Sequence, residues 1–308
     1  MKRLLLLCAT MVLFVGCASK NYDYLSSDKS ILESKKLSLA TYPQKEYFCG
    51  PASLATLLNH QHIEFVYGDI VGSTFTPQLK GSLQVEIKAT ARRYGLIPYA
   101  INQNLAAVLS EVSTNRPVLV LFNLGLPSVP VWHYSVVTGF DKNTKQIYLS
   151  AMKNNQTTMS FDEFETFFER GGSWAIVALK PPLLPVASSE IEMIKAIVDM
   201  AEVGYKEEAR QTAMIYTKQH PNSFLGSVML ANIDYDMKNY MNATAEYKRA
   251  LVLKPNDPVV LNNLAQSLLK ENKLLEARQY ALEAVNAGGM FVTESQTTLE
   301  EINRKLQQ

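Results

Sequence analysis

Tyr42-Pro43-Gln44-Lys45-Glu46-Tyr47-Phe48-Cys49-Gly50-Pro51-Ala52-Ser53-Leu54-Ala55 is the stretch on which the reading of this chain turns. Residues 52–58 continue as an apolar helical pattern. Pro51 suits its first turn, where the N–H that proline lacks would be unpaired anyway. Cys49 therefore opens a helix. A thiol in that place feels the positive end of the helix dipole, which favours thiolate, the form that attacks a carbonyl. Gln44, five residues upstream, carries a side-chain N–H that could join the Cys49 backbone N–H in an oxyanion hole.

A thiolate nucleophile needs a base, and the chain has four histidines. His60 and His62 stand two residues apart and do not share a helix face, which argues against a metal pair. His220 lies beside Pro221. His133 differs, because Val131-Trp132-His133-Tyr134-Ser135-Val136-Val137-Thr138-Gly139-Phe140-Asp141 places it where a strand begins. A sheet can hold such an imidazole rigidly against a helix N-terminus, the arrangement of a Cys-His pair. Around these motifs the pattern predicts helices over 83–94 and 104–112 and strands over 117–122, 134–140, 146–150 and 173–179. Helices first and strands afterwards predict an α+β domain with an antiparallel sheet. No phosphate loop, metal cluster or cofactor signature stands out, so neither cofactor nor metal is expected.

The segment Gln44-(four residues)-Cys49-Gly50-Pro51 and the segment His133-Tyr134-x-Val136-Val137-x-Gly139-x-Asp141 occur in this order, 84 residues apart from Cys to His. Together they resemble the bacteriocin-leader (double-glycine) processing cysteine peptidases, a papain-like family, over about residues 40–180. The resemblance implies a papain-like cysteine peptidase domain with Cys49 as nucleophile, His133 as general base and acid, and Gln44 as oxyanion donor. That family places an Asp shortly after the His strand to orient the imidazole. Here the matching stretch is Ile147-Tyr148-Leu149-Ser150-Ala151-Met152, without an acid. Ser150 is the closest polar side chain and the candidate orienter, with Asn154 or Asn155 as alternatives. Asp141 is the nearest acid but follows the strand.

Three prolines within Pro181-Pro182-Leu183-Leu184-Pro185 stop the strand pattern and read as a linker over 181–189. Beyond it the chain is helical and repeats itself. Leu230, Ala231, Ala243 and Ala250 are matched 34 residues later by Leu264, Ala265, Ala277 and Ala284, and 34 residues before Ala243 and Pro255 stand Ala209 and Pro221. This is the period of the tetratricopeptide repeat, in which small residues let paired helices approach. An all-α solenoid of three units over 190–291 is expected. The first unit is degraded, since Tyr216 takes a small position. A Thr293-x-x-Gln296 capping box predicts a capping helix over 292–308. Such a solenoid would recruit a peptide or protein substrate, or a protein partner, on its concave face.

At the N-terminus, Lys2 and Arg3 precede an apolar run of twelve residues, 4–15, too short to span a bilayer but suited to a signal peptide. It ends in Phe14-Val15-Gly16-Cys17, which resembles the bacterial lipobox. The resemblance implies a lipoprotein signal peptide over 1–17, with Cys17 lipidated as the mature N-terminus. It also implies a lipid anchor in the outer membrane facing the periplasm, with Ala18 in place of a retaining Asp. Residues 18–40, rich in Ser and Lys, read as a tether to a domain spanning 41–180. After processing Cys49 is the sole thiol, so no intramolecular disulfide is possible. The balance of 30 basic and 29 acidic residues excludes the basic surface that nucleic acid requires, so no nucleic-acid partner is expected. The chain thus reads as an envelope-anchored cysteine peptidase. The alternatives are a degenerate peptide-binding or assembly module and a thiol acyl or peptidyl transferase.

Overall fold

The computed structural model describes residues 20–42, 47–150 and 157–308. Gln44, Cys17, Asn154, Asn155 and the signal segment lie outside the described residues. The first half folds around one sheet. Its elements are α1 (Asp23–Ser27), β1 (Ser34–Lys36), α2 (Cys49–His60), α3 (Tyr67–Thr74), a ribbon of β2 (Phe75–Thr76) and β3 (Gly81–Ser82), α4 (Gln84–Arg93), β4 (Ile97–Ala100), α5 (Leu105–Ser113), β5 (Val118–Asn123), β6 (Trp132–Asp141), β7 (Gln146–Leu149), β8 (Thr158–Ser160), α6 (Phe161–Arg170) and β9 (Ala175–Leu179). The main strands run in the order β4-β9-β5-β6-β7-β8, every neighbour antiparallel, with β1 also paired to β6.

β5 explains the layering. Its residues are all buried, as expected of a strand covered on both faces. Val118, Val120 and Phe122 face one core with Val108 of α5 and Phe164 and Phe168 of α6. Leu119 and Leu121 face the other core with Leu54 and Leu58 of α2 and Ile87 of α4. α6 is fixed by a full capping box between Ser160 and Glu163 and by Phe161, Phe164 and Phe168 along one face.

Two stretches differ from the sequence expectation. The segment read as a tether is built into the domain from residue 20 onward. Tyr22, Leu25 and Ile31 are buried, and β1 pairs Ser34 to Lys36 with Asp141 to Gly139 of β6. Lys142 Nζ pins the segment by donating to the carbonyls of Leu25 and Ile31, both at 3.2 Å, and pairs with Glu33 at 3.1 Å. The Pro-rich linker is likewise docked rather than loose. Leu184 is buried, and the Glu111 carboxylate accepts the N–H groups of Val186 and Ala187 at 2.7 and 2.8 Å.

The second half is a run of helices: α7 (Glu190–Glu202), α8 (Lys206–Gln219), α9 (Phe224–Asp236), α10 (Tyr240–Leu253), α11 (Pro258–Lys270), α12 (Leu274–Ala287) and α13 (Val292–Leu306). The repeated alanines 209, 231, 243, 250, 265, 277 and 284 are fully buried where the helices approach. α7 packs on β4, and Met193, Ile197 and Met200 share a core with Tyr99 and Phe122, so the solenoid grows directly from the sheet domain. The expected Thr293 cap is corrected: α13 starts two residues earlier, with Phe291 at the N-cap and no side-chain cap bond.

Candidate active site

Cys49 is the first residue of α2. No side chain caps this helix, and Phe48 occupies the N-cap. The backbone N–H groups of Gly50 and Cys49 are therefore available to the thiol, and both act on it. Gly50 is required by packing: a Cβ there would lie 2.5 Å from Ser82 Oγ and 2.7 Å from Ser82 Cβ, so the helix start is pressed onto β3.

The sheet supplies the other side of the site. β7 pairs with β6 only from Val137 onward. One step further, Ser150 N–H donates to the Val136 carbonyl at 2.7 Å, and Val136 N–H donates to Ser150 Oγ at 2.8 Å. The next N–H on that edge of β6, two residues back, is that of Tyr134, and it meets the Cys49 sulfur. Among the described residues the thiol thus occupies the first rung beyond the β7 pairing, against the peptide that joins His133 to Tyr134. His133, nearly buried, is the second residue of β6 and pairs across the strand with Phe122.

The electrostatics differ from the sequence expectation. Burial pushes the Cys49 thiol up, and the N–H groups of Tyr134, Gly50 and Cys49 only partly offset it. The helix terminus alone therefore does not make the resting thiol acidic; burial outweighs it. Burial likewise raises the phenols of Tyr67 and Tyr134, each raised further by the charge that Cys49 would carry. Tyr134 Oη donates to the Ser82 carbonyl at 3.2 Å, and its ring stands edge-on to Trp174. Tyr67 stacks on Tyr42. Neither tyrosine was singled out in the sequence. Tyr134 carried a signal as the residue after His133, whereas nothing around Tyr67 announced it.

Of the remaining candidates, Ser150 is held against β6. Its hydroxyl is engaged by Val136 N–H and lies 3.3 Å from Ser135 Oγ. Asp141 closes the turn after β6 by accepting Thr144 N–H at 3.0 Å, remote from the site. His60 Nε2 contacts the Asn115 carbonyl at 2.9 Å, and the His220 ring packs on Tyr216. Among the described residues, no three His, Cys, Asp or Glu side chains gather to hold a metal ion, and no helix is long and apolar enough to cross a membrane.

A thiol on a helix N-terminus, set at the open edge of an antiparallel sheet with helices on both faces, defines a papain-like domain, here continued by a helical-repeat solenoid. Comparison with known proteins gives the family. Residues 36–176 match the Peptidase_C39 like family and residues 246–279 match a tetratricopeptide repeat. The chain therefore carries a C39-like peptidase domain followed by tetratricopeptide repeats. Similar solved structures include a double glycine motif protease from an AMS/PCAT transporter in complex with the leader peptide (20% identity, 47% of this chain and 92% of that chain, TM-score 0.34). Another is the peptidase domain of Streptococcus ComA (19% identity, 46% and 97%, TM-score 0.36). The first tetratricopeptide domain of Spaghetti bound to an HSP90 peptide is a third (16% identity, 37% and 90%, TM-score 0.35). A curated relative, the probable biofilm formation methyltransferase WspC of Pseudomonas putida, is 30% identical over 97 residues. That match covers 32% of this chain, and the chain spans 23% of the length of that relative.

Proposed function

We propose that this protein is an envelope-anchored cysteine peptidase that cleaves a peptide or protein recruited by its repeats. The observation that carries the reading is the seat of Cys49, on a helix start and against the strand in which His133 is the second residue. In the reaction, the thiol proton passes to His133 and the sulfur attacks the substrate carbonyl. The oxyanion is held by the Cys49 N–H and the Gln44 side chain. The imidazolium protonates the departing amine, leaving an acyl-enzyme. Water, activated by His133, then releases the acid and the free thiol. The repeats hold the substrate or a protein partner, and a lipid on Cys17 holds the protein to the outer membrane on its periplasmic side.

A second reading, a peptide-binding or assembly module without turnover, is favoured by the raised thiol and by the lack of an acid in the stretch Ile147-Tyr148-Leu149-Ser150-Ala151-Met152. The test is incubation of the full chain with a diverse peptide library, with Cys49→Ala as control and with an added amine in a parallel arm. New termini that depend on Cys49 support the peptidase. Amine-capped products identify a transferase instead. Enrichment of uncut peptides on both proteins would assign the binding module.

A further inference from the structure

The hairpin between β5 and β6 has a feature that the peptidase reading leaves unused. Asn123, nearly buried, accepts the N–H groups of Gly125 and Val131 at 3.0 and 2.9 Å, and Leu124 N–H donates to the Val131 carbonyl. Leu126 and Val129 bridge across the tip, and a Cβ on Gly125 would sit 2.3 Å from the Val129 carbonyl oxygen. The loop is therefore closed and well braced, yet it turns apolar side chains outward: Leu126 is 61%, Val129 68%, Val131 41% and Trp132 55% exposed. A braced projection that presents Leu, Val and Trp to solvent marks an interaction surface.

What covers it follows from where the chain leaves the domain. Tyr22 Oη donates to Asp162 and Glu165, while Lys20 Nζ pairs with Glu165 at 3.0 Å and Glu169 at 2.9 Å. From residue 22 back to residue 20 the chain thus advances along α6 towards its C-terminal end. At that same end, Arg170 donates to the Gly125 carbonyl of the hairpin at 3.2 Å. Only Ala18 and Ser19 stand between Cys17 and Lys20, and an extended chain covers at most about 11 Å in those three steps. With residues 20–40 docked on the domain, a lipid on Cys17 leaves no long tether. The end of the domain that bears the hairpin then lies at the headgroups.

We propose that residues 126–132 seat in the interfacial layer of the membrane that holds the Cys17 lipid, so that the strand begun by Trp132 and His133 starts at the bilayer surface. The proposal rests on the lipid-anchor reading. Trp suits that layer, having an apolar body and an N–H that needs a polar partner. A Cys49 site so placed would take peptide that emerges from, or lies along, the bilayer.

The test uses the full chain purified from bacterial membranes. Intact mass of its N-terminal peptide reports the lipid on Cys17. The protein is then reconstituted in phosphatidylcholine vesicles with or without dibrominated acyl chains, which quench indole on contact. Trp174→Phe leaves Trp132 as reporter, and the difference between wild type and Trp132→Phe gives the same signal should Trp174→Phe disturb the fold. The expected result is loss of at least about half of the Trp132 emission, with Trp174 largely unaffected. The double variant Leu126→Glu, Val129→Glu should abolish that quenching while Cys17 keeps its lipid. Lipid on Cys17 with Trp132 unquenched would overturn the surface, leave the anchor standing and assign the hairpin to a peptide or protein partner. Absence of lipid together with absence of quenching would overturn the anchor and the proposal with it.

Discussion

At the scale of single residues, the site depends on close approaches that side-chain chemistry alone does not reveal. Gly50 sits where any Cβ would overlap Ser82. Gly50→Ala should lower stability by about 1–3 kcal/mol in urea unfolding, and Ser82→Gly in the same chain should recover most of the loss. A neutral Gly50→Ala would contradict the packing of α2 on β3. The thiol and the imidazole were legible because each stands in a motif, Cys49-Gly50-Pro51 and His133-Tyr134, that no other Cys or His of the chain shares. It did not reveal the raised thiol, because burial is a property of the assembled sheet and helices. It also did not reveal the fate of Ser150. Only the ladder shows that its hydroxyl accepts the Val136 N–H.

At the scale of elements, the helical and strand periods were legible wherever the segments were long. β1 was not, because three polar residues, Ser34-Lys35-Lys36, join the sheet through backbone bonds that leave no hydrophobic trace. α6 carried the signals of a helix, a capping box and a Phe stripe, that the sequence reading passed over. In the repeats, the odd Tyr216 has a structural explanation. A Cβ on Gly226 would lie 2.7 Å from the Tyr216 ring, so the large residue on α8 is matched by none on α9. Thirty-four residues later the same two positions are Ala250 and Val260, both buried, so volume has moved from one helix to the other. Gly226→Val alone should cost about 1–3 kcal/mol by thermal unfolding, and Tyr216→Ala with it should restore most of the loss. Additive losses in the double variant would rule the exchange out.

At the scale of the whole molecule, the two halves are joined by more than a linker. α7 shares the core of the sheet domain, Arg92 of α4 pairs with Asp199 of α7, and Tyr205 Oη donates to the Arg93 carbonyl. The linker itself hangs on buried Glu111, whose removal in Glu111→Ala should cost about 1–3 kcal/mol and speed proteolysis within residues 181–189. Burial pushes the Glu111 carboxyl up, opposed by the Ala187 N–H, Arg116 and the Val186 N–H. The folded protein therefore keeps that proton to higher pH than the unfolded chain. The contribution of Glu111 to stability is fullest in acid and declines as pH rises through the raised folded value. Relative to Glu111→Gln, the wild type should lose stability as pH rises above the ordinary glutamate range in urea titrations, and parallel curves would contradict this. The proline cluster read as a linker, and only the assembled core shows it held. The central claim, a working Cys49–His133 pair in this frame, is tested most directly by a brief iodoacetamide pulse on the full chain from about pH 5 to pH 9, read by mass spectrometry of Cys49. The account predicts fast modification below neutral pH in the wild type. In His133→Ala, where burial alone governs the thiol, it predicts reaction only in the alkaline range. Slow modification with the same pH profile in both proteins would contradict it and leave a thiol that binds but does not cut.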